Sequence, residues 1–105
     1  MSQNVVLIRF SQDGSTISFF ITFGGTSTDI AADMDFYGNN IYFCGYGQEL
    51  GGNPSVDAFV VSVVKSSGST NWVRRLGSSS VEMSYGLAIH PLNGNVIVLA
   101  TTNDV

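Results

Sequence analysis

The side chains best suited to chemistry are few. His90 is the only histidine and is followed by Pro91, and a Ser-His-Asp triad would need that imidazole held beside a nucleophile. Its position at the end of a strand, next to a turn, reads instead as a hairpin-edge histidine. Asp33 and Asp35 alternate along one strand, so they project from one face as two glycosidase carboxylates might. Their counterparts in a second, related segment are Gly86 and Ala88, so the pair is not repeated, and it reads as part of a solvated face. With Gly38 and Asn40 they share some letters with a calcium loop, but the spacing fails the EF-hand pattern and the residues fall on a strand and a hairpin. Cys44 is the sole cysteine and lies in the apolar run Ile41-Tyr42-Phe43-Cys44. It can form neither an intrachain disulfide nor a zinc cluster, and it is expected to be a small buried hydrophobe. Asn53-Pro54-Ser55 has proline in the position that blocks N-glycosylation. No catalytic residues, metal ligands or cofactor site are assigned, binding residues are left unknown, and an enzyme is the least favoured reading.

The elements that must position these residues come in two copies. Ser11-Gln12-Asp13-Gly14-Ser15-Thr16 resembles Lys65-Ser66-Ser67-Gly68-Ser69-Thr70, with Gly14 falling on Gly68. After a one-residue shortening, Phe23-Gly24-Gly25 matches Leu76-Gly77-Ser78, and in the same register Asp29-Ile30 falls on Glu82-Met83. After a two-residue insertion, Asn40-Ile41-Tyr42-Phe43-Cys44-Gly45 matches Asn95-Val96-Ile97-Val98-Leu99-Ala100. Self-similarity at a near-constant spacing marks a repeat architecture. The whole chain, residues 1–105, is treated as one domain of two repeats, about 5–57 and 58–105.

Each copy reads as four strands and no helix. Residues 5–10 and 58–64 are short apolar runs rich in β-branched side chains, expected to be buried on both faces. Asp-Gly or Ser-Gly turns lead from them into strands at 17–23 and 71–76. Residues 31–36 turn through Gly38-Asn39 into 40–46, and 85–90 turn through Asn93-Gly94 into 95–101. The glycines and asparagines serve the turns, because a nucleotide-binding glycine loop leads from a strand into a helix and no helix follows here.

Asn40-Ile41-Tyr42-Phe43-Cys44-Gly45-Tyr46, Asp57-Ala58-Phe59-Val60-Val61, Ser67-Gly68-Ser69-Thr70-Asn71-Trp72, Leu76-Gly77 and Tyr85-Gly86-Leu87-Ala88-Ile89 follow one another in an order that resembles the SBBP family of β-propeller repeats, with relatives among NHL-like and other bacterial propellers. The second copy departs from that pattern at Ala100-Thr101 and at Gly77-Ser78. The resemblance implies an all-β fold of four-stranded antiparallel blades. It makes 31–36 and 85–90 the innermost strands and puts Arg74 and Arg75 on the outer rim. The chain then holds two blade equivalents in permuted phase: half a blade, one full blade over about residues 31–76, and another half.

The open halves would expose strand edges, which are templates for pairing with another chain. The expectation is a structural, self-assembling module that completes its blades with neighbouring copies. Closed rings of two to four chains, trimers or tetramers foremost, would follow, or a filament where the rotation does not close. The alternative is a ligand-binding propeller using face loops such as residues 47–57 to hold a glycan, peptide or protein, as an excerpt of a larger extracellular protein. The sequence alone leaves the source compartment open. It has no basic leader and no apolar run long enough to span a bilayer, so no membrane partner is expected. With a net charge of −4 and four basic residues, Arg9, Lys65, Arg74 and Arg75, nucleic acid is also an unexpected partner. Hydrophobic residues make up 44% and charged residues 11%, far below the roughly 25% charged of an average soluble domain. Part of the surface is therefore expected to meet protein.

Overall fold

A computed structural model describes residues 3–25, 27–48, 56–76 and 82–102. They form eight antiparallel strands: β1 (Val5–Phe10), β2 (Ile17–Phe23), β3 (Asp29–Tyr37), β4 (Asn40–Gly47), β5 (Asp57–Val64), β6 (Thr70–Leu76), β7 (Glu82–Ile89) and β8 (Val96–Thr102). No described residue is helical. β1 and β2 match the expected bounds. β3 starts two residues earlier and runs one residue further than expected, and β7 starts at Glu82 and leaves His90 outside.

Pairing divides the strands into three sheets: the hairpin β1-β2, the four-stranded sheet β3-β4-β5-β6 and the hairpin β7-β8. The tight connections place glycine where the chain turns back. Gly38, at φ +57°, joins β3 to β4, and no residue other than glycine has positive φ among the described residues, so the asparagines beside these turns do not supply the left-handed conformation.

One core lies between β1-β2 and the four-stranded sheet. Val5, Leu7, Phe19 and Phe23 pack against Ile41, Phe43, Phe59, Val61 and Val63, with Phe23 edge-on to Phe43 at 5.0 Å between ring centroids. These side chains share a face because Phe43 pairs with Val61 and Ile41 with Val63 across β4 and β5, and paired residues point the same way. The opposite face of β4 and β5 carries Tyr42, Cys44, Ala58, Val60 and Ser62, all buried. β7 lies across β3, β4 and β5. There the Ser84 hydroxyl donates to the Gly45 carbonyl at 2.6 Å, the Leu87 amide donates to Asp33 Oδ2 at 2.9 Å, and Tyr46 meets Tyr85 edge to face.

The two-sided burial expected of both apolar strands holds for β5 and fails for β1. Every residue of β5 from Asp57 to Val63 is buried, whereas β1 buries only Val5 and Leu7. β5 is sandwiched between two layers; β1 belongs to a hairpin with one layer beneath it.

The repeat also changes register. Val5 pairs with Phe23 as Ala58 pairs with Leu76, and Arg9 pairs with Phe19 as Ser62 pairs with Trp72. Both ladders then break at the next residue, so Val5 is the equivalent of Ala58 and Arg9 of Ser62. That is one residue out of step with the alignment of Gly14 on Gly68. A one-residue change moves every side chain of the strand to the other face. The other two alignments stand, since Asp29 pairs with Gly47 as Glu82 pairs with Thr102.

Candidate assembly interface

The residues singled out for chemistry do not converge. His90 closes the β7-β8 hairpin: its amide donates to the Asn95 carbonyl at 2.8 Å and its Nδ1 accepts from the Leu92 amide at 3.2 Å. Asp33 Oδ1 accepts from the Met34 amide and Asp35 Oδ1 from the Phe36 amide, and Asp33 Oδ2 is the acceptor for Leu87. Asp33 therefore ties β3 to β7. Cys44 is fully buried, and burial pushes its thiol pKa up, partly offset by the Ser84 hydroxyl. Among the described residues, no three His, Cys, Asp or Glu side chains gather where they could hold a metal ion. Arg74 stacks over the Trp72 ring at 5.4 Å from its centroid. The Gly77-Ser78 pair, the Asn53-Pro54-Ser55 block and most of the loop proposed for ligand recognition, including Glu49 and Leu50, lie outside the described residues.

Sequence reasoning missed three buried carboxylates, Asp29, Asp57 and Glu82, at the first positions of β3, β5 and β7. Glu82 accepts from the Thr102 hydroxyl at 3.2 Å. Asp29 fills the space that side chains at Gly24 and Gly47 would need. The amide of Asp29 donates to the Gln3 carbonyl, and that of Glu82 to the Val56 carbonyl, so the start of each of these strands is tied to the start of a strand in the preceding sheet. The repeat was the available signal, since Asp29 and Glu82 are equivalent.

The features that do converge surround β1. Its inner edge pairs with β2, and no described strand lies on its other edge. Beside that edge runs an open groove between β1 and β3, in two adjoining stretches of about 320 and 340 Å³. Leu7, Ile41 and Phe43 form its floor where the core continues into it, and Met34 and Phe36 form the far wall. Arg9 lies along it and donates from Nη1 to the Lys65 carbonyl at 2.8 Å. At the other end of the chain, β8 pairs only with β7 among the described residues. An unpaired edge, an adjoining apolar groove and a second unpaired edge are the parts of a strand-addition interface. A scan against protein-family models finds no match to the chain, and a search of curated proteins finds none either.

Proposed function

We propose that the chain is a structural, self-assembling β-propeller module of the SBBP-like type, which completes its half-blades with neighbouring copies. The observation that carries this reading is the phase of the sheets: two strands, four strands, two strands. β7-β8 corresponds to the first half of the four-stranded sheet, through β3-β4, and β1-β2 corresponds to its second half, through β5-β6. Placed side by side from two copies, the hairpins make up the four-stranded unit that the chain already builds once for itself.

The way successive sheets stack within the chain supports a repeating arrangement. The first hairpin covers one face of the central sheet, and β7 of the last hairpin lies across the other. Propellers of four to eight blades would take two to four chains, with trimers and tetramers favoured, and a rotation that fails to close would give a filament.

The test is the native mass of the 105-residue chain at micromolar concentration, by light scattering and native mass spectrometry. A discrete multiple of 11.2 kDa, or a regular filament, is the expected result. A monodisperse monomer overturns it.

A further inference from the structure

We infer that the groove between β1 and β3 is the seat of β8 from a second copy of this chain, added antiparallel to β1 with Leu99 opposite Leu7 and Val98 opposite Ile8. The inference rests on the self-assembly reading and adds to it the partner strand, its register and the apolar contact that holds it.

The register follows from pairing the chain makes internally. Across β4 and β5, Tyr42 stands opposite Ser62, Cys44 opposite Val60 and Phe43 opposite Val61. The hairpin ladders make Ile97 of β8 the equivalent of Tyr42 in β4, and Arg9 of β1 the equivalent of Ser62 in β5. Carrying the β4-β5 pairs onto these strands sets Ile97 against Arg9, Leu99 against Leu7 and Val98 against Ile8. A shift by one residue would reverse the faces of β8.

That register turns the right side chains toward the groove. Leu7 faces the core, so Ile97 and Leu99 on the same face would lie over Met34 and Phe36. All four are exposed in the single chain: Ile97 by 58%, Leu99 by 71%, Met34 by 43% and Phe36 by 56%. Each pair supplies the apolar surface the other lacks. Within the chain the same stacking already exists one sheet further on, where β4, equivalent to β8, packs against β7, equivalent to β3. The groove is continuous with the core between β1-β2 and the four-stranded sheet, because Leu7, Ile41 and Phe43 belong both to that core and to its floor. A second copy supplies a strand, β8, that carries Ile97 and Leu99 at this spacing.

The interface is heterologous, with β8 of one copy on β1 of the next, so it propagates around a ring or along a filament. Two measurements test it. In a Cys44→Ala background, Ile8→Cys and Val98→Cys chains are mixed and oxidised. Directly opposed residues in an antiparallel pair lie within reach of a disulfide, and diagonal ones do not. The mixture is expected to give at least about ten times the crosslinked dimer of Ile8→Cys mixed with Val96→Cys. The second measurement is the native mass of Leu99→Asp, which places a carboxylate on Met34 and Phe36. That variant is expected to lose assembly while keeping its strand content by circular dichroism, whereas Leu92→Asp, in the turn before β8, keeps the mass of the parent chain. An assembly that forms but crosslinks equally in both mixtures, or survives Leu99→Asp, overturns this interface and leaves self-assembly standing. A parent chain that is monomeric and uncrosslinked overturns both.

Discussion

Asp13, in the turn between β1 and β2, shows how a single side chain sets local geometry. Its Oδ1 accepts from the Ser15 hydroxyl at 2.7 Å, the Ser15 amide at 3.0 Å and the Ser11 hydroxyl at 2.8 Å. These bonds favour the charged carboxylate, led by the Ser15 hydroxyl, and lower its pKa from 3.8 to about 2. Because the folded value is the lower one, the contribution to stability is complete above pH 3.8 and is lost as pH falls through about 2. A carboxyl titration followed by NMR should show that midpoint, and Ser15→Ala should move it back toward 3.8. Cys44 has the opposite sign. Burial favours its neutral thiol, so the folded chain resists ionising it above its ordinary value of 9.0 and loses stability as pH rises past that point. A thiol reagent should leave Cys44 unmodified in the native chain and label it in denaturant. Gly45, beside it, is fixed by space: an added Cβ would collide with the Ile30 carbonyl oxygen and press on Phe59 Cζ. Gly45→Ala should therefore cost about 3 kcal/mol in a denaturation experiment, since backbone must move to admit one methyl group.

At the scale of elements, the number of strands was legible because turn residues interrupt apolar runs at intervals that repeat, whereas their grouping into two, four and two was implied only by the resemblance to blade repeats. The faces of β1 were not. Gly14 and Gly68 sit in matching turns and invite alignment on each other, yet the loops they occupy are closed by equivalent bonds, Ser11 to Thr16 and Val64 to Ser69. Those bonds align Ser11 with Val64, where the glycines would align it with Lys65. Gly14 donates to the third residue before it and Gly68 to the fourth, so the two loops place glycine differently within the same span. The alignable residue was the misleading one. The buried acids were hidden for another reason, since carboxylates are buried only where local packing and hydrogen bonding accommodate them, and composition does not show that. The layered arrangement makes β5 the strand whose packing matters most. Phe59, fully buried and edge-on to Phe43 at 6.3 Å, should cost about 3–5 kcal/mol when changed to alanine. Phe20→Ala, on the outer face of β2, should change the stability of the dissociated chain by no more than about 0.5 kcal/mol. Urea denaturation of both variants in dilute solution separates the central strand from the flanking hairpin.

Across the whole molecule, apolar surface is left over in an ordered way. Val6, Ile8, Phe10 and Phe20 project from the outer face of the first hairpin, while Ile97 and Leu99 project from the last. With charged residues at 11%, this surface has few charges to keep copies apart or to orient them by field. Burial of apolar area should therefore dominate association, and salt should weaken it little. Association by any such contact stabilises the folded chain through mass action, because the unfolded chain presents no paired edges or faces. Each tenfold rise in concentration should then add about 1 kcal/mol per chain and raise the thermal midpoint by a few degrees, roughly 4–8 °C per kcal/mol for a domain of this size. A calorimetric series over two decades of concentration reads this directly, with a hydrophobic dye as a second probe. Dye bound per chain should fall as the midpoint rises, because the same faces are being covered. A midpoint independent of concentration, with dye binding unchanged, would mean that these faces stay in water and that the assembly reading fails.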